Sequence, residues 1–406
     1  MNFRILIVLF SVFFVSFANA VPIKHLYRAE IKLPVTDSEA QMLNEAFAQA
    51  VEQVLVRVSG DKAAITGDLL KQAQSEAPTW VAQHSVVALS QLLPVDGQLV
   101  AGKQVTVVFY AESIDRFLSQ HNLPVWGEDR PSVLVWAVSE DRGVRQLSGA
   151  NAPSDLLNNL ATSAAMYGVP IYAPLIDSVD KSAISSADVW GFFEGSISKA
   201  SKRYQTDAVA AIRVADYAGS LSGSLLVLLS DGSSQRFTLS GDSLSALTDQ
   251  ASAAMAKVFS TRYAAVRNNQ AESRMTVQVS GINSYSALNT VQTYLERVGV
   301  VRDVSIVGAK DDVVLFSIAI NGSKQKLINS ISLNSVLQVT NPPPVAVLPP
   351  MSDTETSTPS VAVLPPMSDA EASAPSDGET SAVIAQPVVS TPEPAADEYF
   401  KYNGVQ

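Results

Sequence analysis

Two aspartates three apart, Asp177 and Asp180 in "LIDSVD", follow an apolar stretch. Carboxylates at the end of a strand can share a divalent ion or divide acid and base work. The same residues suit a helix start, where a side-chain oxygen accepts from the first-turn backbone. Asp188 and Glu194 lie near enough in sequence to join them. Ser196–Lys199 and Ser323–Lys326 have the SxxK spacing of a serine nucleophile with a lysine base. Neither has an SDN or KTG partner, so both read as solvated helix faces in a serine-rich chain. Arg130 lies near Trp126 and Arg203 beside Tyr204, so each cation can stack on a ring. Trp136 and Trp190 read as core or rim. Arg203 and Asp207 can pair, with Tyr204 filling the space between helix and sheet. "SKRYQTDAVAAIRV" therefore reads as a packing junction.

Other chemistries lack their residues. The three histidines, His25, His84 and His121, are not spaced as a metal pair, and cysteine is absent. Thiolate catalysis is excluded, and a zinc site has no support. No GxGxxG or Walker loop offers a phosphate cradle. The expectation is no catalytic, metal or cofactor residue, and no cofactor.

The elements that would position these residues follow from periodicity. "LYRAEIKLP" alternates Tyr27, Ala29, Ile31 and Leu33 against charged residues, the pattern of a half-buried strand. Thr36 and Glu39 have capping-box spacing and open a helix with Leu43, Phe47, Ala50 and Val54 on one face, ending near Gly60. "QVTVVFY" is a β-branched strand, and Ile114, Phe117 and Leu118 mark a short helix. "LPVWGEDRP", with its Gly and two Pro, is a junction. "SVLVWAV" reads as a strand covered on both faces. A helix over Asp155–Tyr167, a strand in "GVPIYAPL", a hairpin at Asp231–Gly232 and a helix over Ser243–Val266 follow. From Met275 the order is β-α-β-β-α-β, with a hairpin at Lys310–Asp311, which suggests a ferredoxin-like split unit. Such a unit hosts many functions and decides none.

The predicted class is α+β / α/β: two small mixed sheet-helix domains (21–125 and 126–270), a ferredoxin-like domain (271–340) and a disordered tail (341–406). The tail carries 12 of the 21 prolines and nine acids against one lysine. It holds a direct repeat, "VAVLPPMSDTETSTPS" then "VAVLPPMSDAEASAPS". Such composition cannot bury a core. Tyr399, Phe400 and Tyr402 near its end read either as a docking motif that orders on a partner or as a frayed terminus.

Residues 1–20 have the form of a secretory signal: Arg4, an apolar run from Ile5 to Val15, and Ala18-Asn19-Ala20 as the cut. An uncleaved anchor is the rival reading. The mature chain is expected in the periplasm with no membrane span, no lipid-bearing cysteine and no disulfide. The formal charge of −11 resides mostly in the tail, so no basic face invites nucleic acid.

Several stretches, in order, resemble the proteobacterial domain-of-unknown-function family 2066: "AFAQAVEQVLVRVSGD", "LPVWGEDRPSVLVWAV", "VPIYAPLIDSVD", "VWGFFEGSISKASKRYQTDAV" and "VSGINSY…YLERVGVVRDVSIVG". The resemblance covers most of residues 22–338. It implies export, and singles out Trp126, Gly127, Arg130, Pro131, Trp136, Pro174, Asp177, Asp180, Ser201, Arg203, Tyr204 and Asp207. The expected function is a non-enzymatic envelope scaffold that binds another envelope protein. A hydrolase or metal-dependent enzyme using Asp177 and Asp180 is one alternative. A small-ligand sensor, with its pocket near Trp126 and Trp136 between the first two domains, is the other.

Overall fold

A computed structural model describes residues 21–22, 25–35, 38–95, 97–217, 220–267, 272–333, 336–342 and 396–404. The signal-like segment, Thr36 and both repeats lie outside these residues.

The alternation after Tyr27 forms strand β1 (Arg28–Pro34), with Ala29, Ile31 and Leu33 buried. Helix α1 (Glu39–Ser59) follows, capped by Ser38, whose hydroxyl accepts from Gln41 N. The cap is therefore Ser38 where Thr36 was expected. Gly60 ends α1 at φ 65°, a left-handed conformation that a Cβ disfavours. Helix α2 (Gly67–Trp80), β2 (Val81–Ala88), β3 (Gly102–Phe109) and α3 (Ala111–Gln120) complete the unit. The antiparallel sheet has the order β1-β3-β2.

The central sheet starts with β4 (Val133–Asp141) and β5 (Val144–Ser148). After α4 (Asp155–Met166) the expected strand in "GVPIYAPL" shrinks to β6 (Ile171–Tyr172). Three short helices follow, α5 (Ser178–Ala183), α6 (Ser186–Trp190) and α7 (Glu194–Ser201). Then come β7 (Ala208–Tyr217), β8 (Ser220–Leu229), β9 (Ser234–Gly241) and α8 (Leu244–Tyr263). The order is β5-β4-β7-β8-β9, with β6 also on β4; β4 is parallel to β7 and β6. Burial of β4 on both faces explains its continuous apolar sequence. Val133, Val135 and Ala137 face a core shared with α1, α4 and α8. Leu134, Trp136 and Val138 face α6 and α7.

The last unit runs β10 (Glu272–Ser280), α9 (Tyr285–Arg297), β11 (Val301–Lys310), β12 (Val313–Asn321), α10 (Lys324–Ile331) and β13 (Leu337–Val339). Its sheet has a fifth strand. Residues 398–402, expected to be disordered, form β14 (Glu398–Tyr402) and give the order β11-β12-β10-β14-β13. Strand β14 is parallel to β10 and antiparallel to β13, and Phe400 is 1% exposed in the core. Burying that ring offsets the entropy of ordering the segment. The described residues up to Thr340 form one compact unit with residues 396–404.

Candidate functional site

Asp177 and Asp180 are brought together with Arg203 and Tyr204. Asp177 caps α5, accepting from Asp180 N at 2.9 Å, so the helix-cap reading describes its local role. Arg203 Nη1 lies 2.8 Å from Asp177 Oδ1 and 2.9 Å from Asp180 Oδ1, and Nη2 lies 2.9 Å from Asp177 Oδ2. Tyr204 OH donates to Asp180 Oδ2 at 2.5 Å and accepts from Leu175 N at 2.8 Å. Ile176 N also donates to Asp180 Oδ2, at 2.8 Å. Asp180 is fully buried, with both oxygens engaged.

The electrostatics follow. Hydrogen bonds from Arg203 hold Asp177 down at about 2, and Asp177 in turn raises Arg203. Burial, then the bond to Asp180, pushes Tyr204 up to about 12. An acid-base pair working near neutral pH needs one carboxyl raised and reachable. Asp177 is held in the opposite direction and Asp180 is out of reach. Asp188 closes a capping box with Ser185 instead of joining the pair. Glu194 binds Arg236 at 2.7 Å.

Arg203 does not pair with Asp207. That carboxylate accepts from Ser132 N at 2.7 Å and Ser132 Oγ at 2.6 Å, tying the start of β7 to the start of β4. Burial raises the Asp207 pKa. Trp136 is core: its Nε1 donates to Ser201 Oγ at 2.9 Å, and its ring meets Tyr204 edge-on at 6.3 Å. The Arg203 guanidinium stands 5.2 Å from the Tyr204 ring centroid.

The stretch read as a punctuated junction is a buried seam. Trp126 N donates to Val58 O at 2.8 Å, and the Arg130 guanidinium stacks 3.6 Å from the Trp126 ring centroid. Arg130 Nε reaches Gly127 O at 2.7 Å; Nη2 reaches Trp126 O at 2.8 Å and Arg57 O at 3.1 Å. Arg130 is fully buried, and its Nη1 has no hydrogen-bond partner among the described residues. Burial, with the nearby Arg57 charge, lowers its pKa well below the usual value. Arg57 also serves carbonyls: Met166 O at 3.2 Å and Arg28 O at 2.6 Å. Both arginines thus satisfy last-turn carbonyls, of α1 and α4, where cations are favoured. Arg57 carried no sequence signal, because its role depends on elements far along the chain.

The SxxK pairs do local work. Ser323 caps α10 by accepting from Lys326 N, while Lys326 Nζ reaches Ala264 O at 2.5 Å. Ser196 and Lys199 lie on α7. Among the described residues, no cluster of three or more His, Asp or Glu could hold a metal ion. No helix among them is long and apolar enough to cross a membrane.

An open cleft of about 360 Å³ does lie between α1 and the α4–α8 face. Gln49, Glu52, Lys62, Tyr167 and Asp249 line it, whereas Trp126 and Trp136 are buried elsewhere. Lys62 Nζ is 2.8 Å from Asp249 Oδ2, and Tyr167 OH is 2.9 Å from Asp249 Oδ1. Burial and that bond push Tyr167 up to about 12. Sequence reasoning missed this trio, whose members lie far apart in the chain. Tyr399, Phe400 and Tyr402 belong to β14, neither frayed nor awaiting a partner to become ordered.

Residues 20–127 match a family described as Domain of unknown function (DUF8605). This is a different family from family 2066, and the match overturns that resemblance. The matched residues contain the first sheet, α1–α3 and the Trp126 end of the seam. No curated protein matches the chain. No solved structure matches it.

Proposed function

We propose that this is an exported, non-catalytic interaction protein of the cell envelope. The observation that carries the reading is the spent state of the best catalytic candidates. Asp180 is buried under donors from Arg203, Tyr204 and Ile176 N, and Asp177 is locked by Arg203. That arrangement speaks against the hydrolase or metal-enzyme alternative. The signal-like start supports export to the periplasm, and the proline-rich acidic repeats between Asn341 and Ala395 suit an arm that a partner could grip.

On this reading the chain has an N-terminal unit to residue 125, a central α/β unit to 270 and a ferredoxin-like βαββαβ frame to 340, widened by one strand from the C-terminus. The test is capture from periplasmic extract with the full chain and with a variant lacking residues 343–395 but keeping β14. A reproducible envelope protein recovered by the full chain supports the scaffold. Failure of both forms to recover one removes it.

A small-ligand sensor is the second reading, favoured by the cleft at Lys62, Tyr167 and Asp249. Its carboxylate, phenol and ammonium suit a small polar ligand. Thermal-shift screening with envelope metabolites separates it from the scaffold, and an Asp249→Ala chain should lose any shift found.

A further inference from the structure

We propose that the slot between β10 and β13 is a peptide-binding site for an extended acidic–aromatic segment of a partner protein, and that β14 is the resident strand such a segment displaces. The use of this exchange in partner capture rests on the interaction reading above; the binding itself does not.

The connection supports exchange. Strand β14 belongs to the sheet by pairing, yet it joins the unit covalently only through residues 341–395. Its neighbours come from other parts of the chain: β10 pairs Val277–Ser280 with Glu398–Lys401, and β13 pairs Leu337–Val339 with Tyr402–Phe400. A strand held this way is chemically equivalent to a bound peptide.

The slot is built to read particular side chains. Thr276 N donates to Asp397 Oδ2 at 2.7 Å, and Asp397 N donates to Thr276 O at 2.8 Å. Lys324 Nζ lies 2.8 Å from Asp397 O and 2.9 Å from Glu398 Oε1. These contacts select acid at the entering end. Thr340 N reaches Tyr399 O at 2.8 Å, and Asn403 N reaches Val336 O at 3.1 Å, fixing register at both ends. Phe400, paired with Val279, is buried in the apolar core to which Val277 and Leu337 also belong. At Gly281 (φ +85°) a Cβ would stand 3.1 Å from Tyr402 O, so glycine there leaves room for the strand's backbone. Lys401 points outward and is exposed. The recognised pattern is therefore Asp-Glu-x-Phe-x-Tyr. Main-chain bonds supply affinity and alternate side chains supply specificity.

The tether sets the competition. A covalent connection makes the pairing intramolecular, so a free peptide of the same sequence competes at a disadvantage. A partner with further contacts, or a cut in the connection, reverses the balance.

The experiment uses the full chain with a specific-protease sequence inserted after Ser376. After cleavage, a fluorescent peptide of residues 396–404 is added and anisotropy is read, with circular dichroism reporting the fold. The cut chain should bind the peptide at least about tenfold more tightly than the intact chain. A peptide carrying Phe400→Ala, or a chain carrying Lys324→Glu, should bind at least about tenfold more weakly. If loss of the fragment unfolds the last unit, added peptide should restore it. The proposal falls if the cut chain keeps its fragment without exchange, if it stays folded and binds no peptide, or if peptide fails to restore an unfolded unit. It falls also if Phe400→Ala peptide binds equally well. Intact chains that dimerise by trading C-termini would assign the slot to a second copy and overturn the partner-protein assignment.

Discussion

Arg203 and Asp180 form an ion pair of unequal exposure: the carboxylate is buried, while a third of the arginine side chain reaches solvent. The guanidinium offsets part of the cost of burying that carboxylate. Asp180→Ala should therefore cost about 3 kcal/mol, by removing one charge-assisted pair and leaving Tyr204 OH and Ile176 N without their acceptor. Urea unfolding would measure it, and a loss below about 0.5 kcal/mol would refute the structural role.

Asp177 gives a pH signature. Its folded value, about 2, lies below its ordinary 3.8, because Arg203 favours the carboxylate. The stability it contributes is complete above the ordinary value and is lost as pH falls through about 2. Asp207, raised by burial, runs the opposite way and does not add to that loss. Asp177→Asn should flatten the decline in stability between roughly pH 4 and 2. Denaturant midpoints at stepped pH, compared between the two chains, decide the matter.

Arg130 should tolerate an apolar replacement better than a truncated one. Arg130→Ala opens a cavity beside Trp126 and strips three carbonyls of their donor, a loss of about 3–4 kcal/mol. Arg130→Met fills the space without burying a charge and should cost less. Arg130→Lys keeps the charge but not the fork, and should resemble the alanine chain. Thermal unfolding of the three variants would reveal the order.

Phe400→Ala should loosen the last unit selectively. Truncating a buried aromatic ring typically costs about 3–5 kcal/mol. Amides of β10 and β13 should exchange faster with deuterium, while those of β4 and β7 keep their protection. Uniform loss of protection would show that β14 supports the whole chain instead of its own sheet.

Replacing residues 343–395 with a short turn should stabilise the sheet. Thr340 N and Tyr399 O are already bonded at 2.8 Å, so β13 and β14 can be joined as a hairpin. Shortening the loop roughly tenfold recovers about 2 kcal/mol of closure entropy. The denaturation midpoint should rise by a matching amount.

Local pattern carried much of the architecture. The alternation at Ala29, Ile31 and Leu33, the apolar run of β4 and the Asp231–Gly232 hairpin depend on neighbours in sequence, and each formed as read. So did the α1 face and its Gly60 terminus. Burial of residues 123–131 was not legible, because Gly and Pro mark irregular backbone whether it is exposed or buried. Here Arg130 and Trp126 make it part of the core. At the aspartate cluster the residue types were legible, but the partner of Arg203 was not. Asp207 is close in sequence, whereas Asp177 and Asp180 are brought close only by α5 and the turn before β7.

Composition and periodicity alone determined that the chain builds mixed helices and sheets, lacks thiol chemistry and carries a proline-rich acidic segment. These properties are additive along the chain. Only the tertiary structure decided that the aspartates are locked, that Arg130 is buried, and that the last aromatic residues close a sheet. Those outcomes depend on which distant groups meet, and a buried charge or strand edge takes whichever partner the packing supplies.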